Sequence, residues 1–204
     1  MTEHDQSFWS GRWAQNQIGF HEGKPNALLV AHVARIESAG KKLRILVPLA
    51  GKAADLAWLA ARGHEVVGVE FVRKAVEELF AETKDATGLT MICDDFFAVH
   101  PDTAGRFDVV YDRAALIAID PPKRAAYVAH CRTLLRDGGT TFLVSVDYDQ
   151  TKAEGPPWSV DEAMVRALYE GRPIEVLEKR VVAPNPRLRA AGLTSLDERA
   201  YLIG

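Results

Sequence analysis

Several groups of residues in this chain have the types and spacing to do chemistry. The first runs from Arg44 to Glu70. An apolar segment leads into a turn with one glycine, Gly51, and then apolar Ala53, Leu56, Ala57 and Ala60 fall on one helix face. Arg62-Gly63-His64 stops that helix, and a β-branched run ends on Glu70. In a doubly wound sheet, a carboxylate at the carboxyl end of the second strand is where ribose hydroxyls meet an acceptor. The turn Pro48-Leu49-Ala50-Gly51-Lys52 lacks the several glycines of G-x-G-x-x-G that let backbone approach a pyrophosphate. It suits a nucleoside with a small amino-acid tail better. An ordinary βαβ unit with a solvated Glu70 is the plainer alternative.

The second group is Asp94-Asp95-Phe96-Phe97, after the third apolar run, where an adenine ring would lie. A carboxylate can accept from an exocyclic amine and an aromatic can stack on the base. The alternative is that Phe96 and Phe97 are core and Asp94 caps a helix or turn. The third group, Asp112-Arg113, ends the fourth strand; Arg113 either reaches a ligand or pairs with Asp112 or Asp147 to hold the sheet end. The fourth is Trp9 and Trp13, four apart on one helix face, with Phe20 beyond them. His21 and the other histidines have no ligand spacing, and Cys93 and Cys131 have none either, so no metal is expected. Cys93, in an apolar run, reads as a buried unpaired thiol.

The elements that must position these residues follow from periodicity. A short helix spans 7 to 16 with Ser7 as a candidate cap, and a second spans 26 to 38. Then come strand 44 to 48, helix 52 to 62, strand 65 to 69, helix 72 to 83, strand 89 to 93, strand 107 to 111, helix 121 to 136 and strand 140 to 147. A helix near 160 to 169 precedes two extended segments, 173 to 182 and 196 to 203, joined by a loop at 183 to 192. Alternating strands and helices predict an α/β fold: a mainly parallel seven-stranded sheet, Rossmann-like, with helices on both faces and an antiparallel carboxyl-terminal strand pair. With 204 residues, one domain is expected, its first 40 residues forming a helical cap on a core from 41 onward. A hydrophobic fraction of 48% and net charge of −3 fit an ordinary globular protein and give no reason to expect nucleic acid or membrane as partner. The amino end has no basic-then-apolar signal region, so a cytoplasmic location is expected.

Taken together, the motifs resemble one family, the thiopurine S-methyltransferases. The matching pieces are Phe8-Trp9-x-x-Arg12-Trp13, Ile18-Gly19-Phe20-His21, Val47-Pro48-Leu49-Ala50-Gly51-Lys52 and Gly63-His64-x-Val66-Val67-Gly68-Val69-Glu70. Tyr111-Asp112-Arg113-Ala114-Ala115-Leu116, Asp147-Tyr148-Asp149-Gln150 and Gly155-Pro156-Pro157 complete the set, in order from residue 8 nearly to the carboxyl end. The chain looks most like the bacterial branch; Ala50 departs from a frequent cysteine but keeps a small residue there.

The resemblance implies a class I fold and S-adenosylmethionine as cofactor, with S-adenosylhomocysteine as product. It implies cofactor contacts from Trp9, Trp13, Leu49, Gly51, Glu70, Asp95, Phe96 and backbone near Arg113. For the substrate it implies Phe20 stacking on an aromatic ring, Arg113 beside the nucleophile and a loop arginine, Arg187, with Arg189 close enough to compete. Residues 8 to 20 would then form a lid, and His21 would order its loop. The implied reaction is methyl transfer to the sulfur of thiopurines or other small aromatic thiols. A monomer is expected, since nothing demands more. Methylation of selenium or tellurium species is the alternative substrate reading, and a non-catalytic S-adenosylmethionine-binding module the alternative class.

Overall fold

The computed structural model describes residues 3–19, 21–37, 40–83 and 86–204. Its centre is a seven-stranded sheet: β1 (Arg44–Val47), β2 (Glu65–Val69), β3 (Leu89–Ile92), β4 (Phe107–Arg113), β5 (Leu135–Asp147), β6 (Ile174–Val182) and β7 (Leu196–Ile203). The strand order is β3-β2-β1-β4-β5-β7-β6. The first five strands pair in parallel, whereas β7 runs antiparallel to both β5 and β6. The order reverses between β1 and β4, which opens a crevice at their carboxyl ends.

Alternation along β1 explains why both faces of the sheet are covered. Leu46 packs on one side with Val67, Val110, Leu143, Tyr127 and Leu134, while Ile45 and Val47 pack on the other with Leu29, Leu56, Leu59 and Phe142. The covering helices include α2 (Ala27–His32), α3 (Ala54–Ala61), α4 (Arg73–Glu82), the four-residue α5 (Pro101–Ala104), α6 (Arg124–Leu134) and α7 (Glu162–Leu168). α1 (Glu3–Ala14) lies against α4, where Trp13 packs with Val72 and Ala75.

Several boundaries differ from the expectation. α1 begins at Glu3, so Ser7 lies inside the helix and caps nothing. Asn26 is itself the cap of α2, its Oδ1 accepting from the N–H of Leu28 and Leu29; the helix then tightens into a 3₁₀ turn at Val33–Arg35. α6 stops at Leu134 because Leu135 already pairs with Phe107 in the sheet, and a register shift follows. The expected loop at 183 to 192 contains a short helix, α8 (Pro186–Ala190), capped by Asn185. Cys93 falls just past β3 and is half-buried, whereas Cys131 is the buried thiol.

Asp112 ties β4 to the following turn from inside the core. It is fully buried, with Oδ1 accepting from the Leu116 N–H at 3.0 Å and Oδ2 from the Tyr127 hydroxyl at 2.8 Å. Loss of water pushes its carboxyl up to about 6, against the lowering effect of those two donors. The folded protein therefore holds this proton more tightly than the unfolded chain, and stability from Asp112 declines as pH rises from about 4 to about 6, by on the order of 3 kcal/mol. Asp112→Asn keeps both hydrogen bonds, since its amide can donate to Tyr127. Its melting temperature relative to the parent should climb between pH 4 and pH 7 in thermal unfolding; a flat difference would mean that Asp112 titrates normally.

Candidate functional site

A cavity of about 580 Å³ opens at the carboxyl ends of β1 and β4. Its walls come from α1, the turns after β1, β2 and β4, the segment around Pro156-Pro157, the start of α8 and the start of β7. Of the residues expected at the site, Trp9, Trp13, Leu49, Gly51, Glu70, Arg113 and Arg187 all line this one cavity. They come from positions up to 178 residues apart, and the sheet crossing brings them together.

The end nearest β1 and β2 is built around Glu70. The side chain is 6% exposed and bridges two loops: Oε2 accepts from the Gly51 N–H at 2.9 Å and Oε1 from the Val72 N–H at 2.8 Å. Burial pushes its carboxyl up, while the N–H groups of Val72, Gly51 and Phe71 pull the other way. Each carboxylate oxygen offers two acceptor positions, so Glu70 retains capacity toward the cavity after both backbone bonds are made. A vicinal diol is the ligand group that such a paired acceptor fits. The solvated Glu70 of the plainer alternative is not what the fold produces.

The turn before Glu70 takes an uncommon path. Leu49 and Gly51 have φ of 47° and 53°, and the ring of Trp13 lies on Gly51 so closely that a Cβ there would meet it at 3.3 Å. Glycine satisfies both demands; Leu49 holds a left-handed backbone that costs a non-glycine residue on the order of 1 kcal/mol or more. Ala114, directly after Arg113, has φ of 71°, so the turns after β1 and β4 are both held in this conformation at the cavity wall. Lys52 fixes the first turn to α4 through Glu78 and Glu82, at 2.9 and 2.6 Å.

Arg113, the last residue of β4, also lines the cavity. It pairs with Glu22, and not with Asp112 or Asp147; Asp112 is committed to the core and Asp147 to Arg199 at 2.8 Å. Arg187, in the first turn of α8, reaches across to the backbone carbonyls of Pro156 and Glu154, the latter at 2.7 Å. Arg189 is exposed and absent from the cavity lining, which separates the two loop arginines. Apolar Ile117, Val146, Pro156, Pro157, Leu188 and Leu196 line the cavity with these two arginines. The imidazole of His21 stands near Lys52 and Arg113, and burial and those two cations hold it below its ordinary range.

Asp95 and Phe96 are not brought to this wall. Phe96 is 1% exposed, its ring packed on Tyr127, His130 and Phe97, so the core alternative is the one its side chain takes. The cap is made by Asp95, not Asp94: its Oδ1 accepts from the Phe97 N–H at 3.0 Å. Phe20 lies outside the described residues. The residues that sequence reasoning overlooked are Glu22 and Glu198, both on the wall. Glu198 carried a usable signal, since strict alternation along 196 to 203 places it on the side opposite Asp197 and Arg199. Glu22 carried none, because a loop has no period.

Comparison with known proteins places this geometry. The model of the family described as thiopurine S-methyltransferase matches residues 4–204. The chain belongs to that family. Thiopurine S-methyltransferase from Pseudomonas fluorescens (strain SBW25) is 41% identical over 212 residues, covering 96% of this chain and 97% of that protein. The protein of the same name from Pseudomonas aeruginosa (strain LESB58) is 40% identical over 213 residues, with coverage of 96% and 97%. The chain is thus a methyltransferase. Among solved structures, Synechocystis PCC 6803 magnesium protoporphyrin IX methyltransferase, with bound S-adenosylmethionine, superposes with a TM-score of 0.68 at 15% identity, covering 98% of this chain and 96% of that one. Burkholderia thailandensis 1,6-didemethyltoxoflavin-N1-methyltransferase, with bound 1,6-didemethyltoxoflavin and S-adenosylhomocysteine, gives 0.65 at 20% identity, covering 96% and 85%. These two share the class I methyltransferase fold with this chain. Among the described residues no cluster could hold a metal ion, and no helix is long and apolar enough to cross a membrane.

Because each oxygen of Glu70 faces a backbone donor, no amide can replace it without turning an NH₂ against an N–H. Glu70→Gln and Glu70→Ala should both weaken S-adenosylhomocysteine binding in calorimetry by about 2 kcal/mol, roughly 30-fold. Affinity within twofold of the parent for both variants would remove Glu70 from the ligand site.

Proposed function

We propose that the chain transfers the methyl group of S-adenosylmethionine to the sulfur of a small aromatic or heterocyclic thiol, thiopurines included. The observation that carries this reading is a pair of guanidinium groups, Arg113 and Arg187, that line the cavity together with apolar Ile117, Val146, Pro156, Pro157, Leu188 and Leu196. An apolar slot with a few charged groups orients a flat heteroaromatic ring. A guanidinium beside a thiol sulfur favours its anionic, more nucleophilic form.

The residues at the other end fit a sulfonium nucleoside. Glu70 would accept from the ribose hydroxyls, Gly51 and Leu49 would line the amino-acid tail, and Trp13 would close over that turn from α1. When bound, the nucleoside supplies an electrophilic methyl group on a positively charged sulfur. This chain's part is to align the thiol with that methyl group, exclude water and stabilise the thiolate, which is where positioning and electrostatics supply most of the rate.

Glu22 already occupies Arg113, and its side chain is 42% exposed against 15% for the arginine. A bound thiolate must compete for the same guanidinium. α1, whose contacts to the body centre on Trp13, Val72 and Ala75, is the element best placed to act as a lid. Deuterium exchange across residues 5 to 19 should slow when S-adenosylhomocysteine is bound; equal rates with and without it would remove the lid from the mechanism.

The central test is methyl transfer from S-adenosylmethionine to 6-mercaptopurine, read as the S-methyl product. Arg113→Ala should raise KM for the thiol by about tenfold or more, the worth of a charged hydrogen bond, while calorimetric affinity for S-adenosylhomocysteine stays within threefold. A defect confined to the nucleoside would assign Arg113 to the other half of the cavity. Glu22→Gln should lower KM by freeing Arg113, and an increase would mean that Glu22 helps the substrate bind.

A further inference from the structure

Three glutamates line the cavity, and each is held differently. Glu70 is bound by backbone N–H groups and Glu22 by Arg113, whereas Glu198 has no ion-pair partner among the described residues. It stands on β7, opposite Val146 of β5 and Arg180 of β6, on the thiol side of the cavity. Oε1 accepts from Nδ2 of Asn26 at 3.2 Å. Asn26 is 2% exposed, and its Oδ1 is already taken by the Leu28 and Leu29 N–H groups, so its amide can present only a donor to Glu198. Asn26 is held in turn by Asp55, which accepts from its backbone N–H at 2.6 Å. The carboxylate is thus fixed by one oxygen, and Oε2 remains free to accept.

Its surroundings suit a proton acceptor. Partial burial pushes the Glu198 carboxyl up; Asn26, Arg113 and Arg180 oppose that, and Glu22 reinforces it. Arg180 is itself paired with both oxygens of Glu178. Tyr111 of β4 also lies close to it, and Asp55 of α3 stands behind Tyr111 and Asn26. A base whose affinity for protons is raised toward neutrality transfers them more effectively near pH 7.

Heterocyclic thiols exist in water largely as thiones, with the proton on the ring nitrogen next to the C=S carbon. Methylation at sulfur must then remove that N–H proton. We propose that Glu198 is the base for this step: Oε2 accepts the ring N–H and takes its proton as the sulfur is methylated, which selects thiones bearing an N–H beside the C=S carbon. The inference rests on the thiol-methylating reading above. The N–H electron pair becomes the ring C=N bond, and the C=S π pair becomes the new S–CH₃ bond. The donor's S–CH₃ pair stays on its sulfur, and the proton passes to Glu198. A sulfonium, a carboxylate and a neutral thione become a neutral thioether, a carboxylic acid and a neutral S-methyl heterocycle.

The test compares 6-mercaptopurine, which carries the N–H, with 4-nitrothiophenol, which lacks it and is ionised at neutral pH. In Glu198→Gln, kcat/KM for 6-mercaptopurine should fall by about 100-fold, with a loss at least ten times smaller for 4-nitrothiophenol. Binding of 6-mercaptopurine to the S-adenosylhomocysteine complex should weaken in calorimetry, because the amide introduced by Glu198→Gln would turn an NH₂ toward the ring N–H. In the unsubstituted protein, the acid limb of the kcat/KM profile for 6-mercaptopurine should be absent for 4-nitrothiophenol, a comparison that needs no variant. Equal losses for the two thiols, or an unaltered 6-mercaptopurine rate, would overturn the role of Glu198 while leaving the thiol reading intact. An unsubstituted protein that methylates neither thiol would overturn both.

Discussion

The buried Glu70 carboxylate is the tie on which the site's geometry depends. Its two oxygens join the turn after β1 to the turn after β2, and flanking backbone bonds, Ala50 N–H to the Val69 carbonyl at 2.9 Å and Glu70 N–H to the Ile92 carbonyl at 3.0 Å, stitch three parallel strands at their carboxyl ends. A charge removed from water is costly unless hydrogen-bonded, so the N–H groups that stabilise Glu70 also oblige the turn to keep its left-handed path at Leu49 and Gly51. Gly51 then forms the floor on which Trp13 rests, and through Trp13 the position of α1 is set. Cavity floor, strained turn and cap are consequences of one carboxylate.

The cavity also shows how partners, more than residue type, decide what a glutamate does. Backbone donors make Glu70 a rigid acceptor, a guanidinium holds Glu22 in an ion pair, and a single amide leaves Glu198 half free. The same principle applies to the arginines. Arg113 is neutralised by a side chain that can leave, whereas Arg187 is anchored to carbonyls, where its charge is undiminished. A positive field therefore persists on this side of the cavity whichever way Glu22 points.

How much of this was legible in the sequence varies with the kind of interaction involved. β2 and β7 are read to the residue, because alternation and β-branching mark them without help from neighbours. Helix ends are read less well: α1 begins four residues before Ser7, and α6 ends where pairing of Leu135 with Phe107 overrides a helical pattern. α8 was legible in principle, since Asn185-Pro186 is a cap followed by proline at the first helical position, but Pro184 and Gly192 around it read as loop. Glu70 and Arg113 could be placed because strand ends in this topology meet at one crevice. Phe96 could not be oriented, because a few residues past a strand end the choice between core and cavity depends on the tertiary neighbours Tyr127 and His130. Alternation could place Glu198 on a strand face but not assign it a role, and Glu22 could not be placed at all: their roles come from Asn26 and Arg113, distant in sequence by 172 and 91 residues.

Asn26 links the fold to the chemistry in a way no strand end does. It caps α2 with its oxygen, receives order from Asp55 through its backbone, and spends its amide hydrogens on Glu198. Buried Asp55 keeps a raised proton affinity because burial outweighs the donor it accepts from, and Arg113 lies close enough to lower it. Asp55, Asn26, Glu198 and Arg113 thus form one electrostatic unit at this side of the cavity, in which the proton affinities of Asp55 and Glu198 respond to the position of Arg113. A ligand that draws Arg113 away from Glu22 alters the field at Glu198 and Asp55 together. Any change in the pairing of Arg113 and the proton affinities of Glu198 and Asp55 are therefore coupled through the same four side chains.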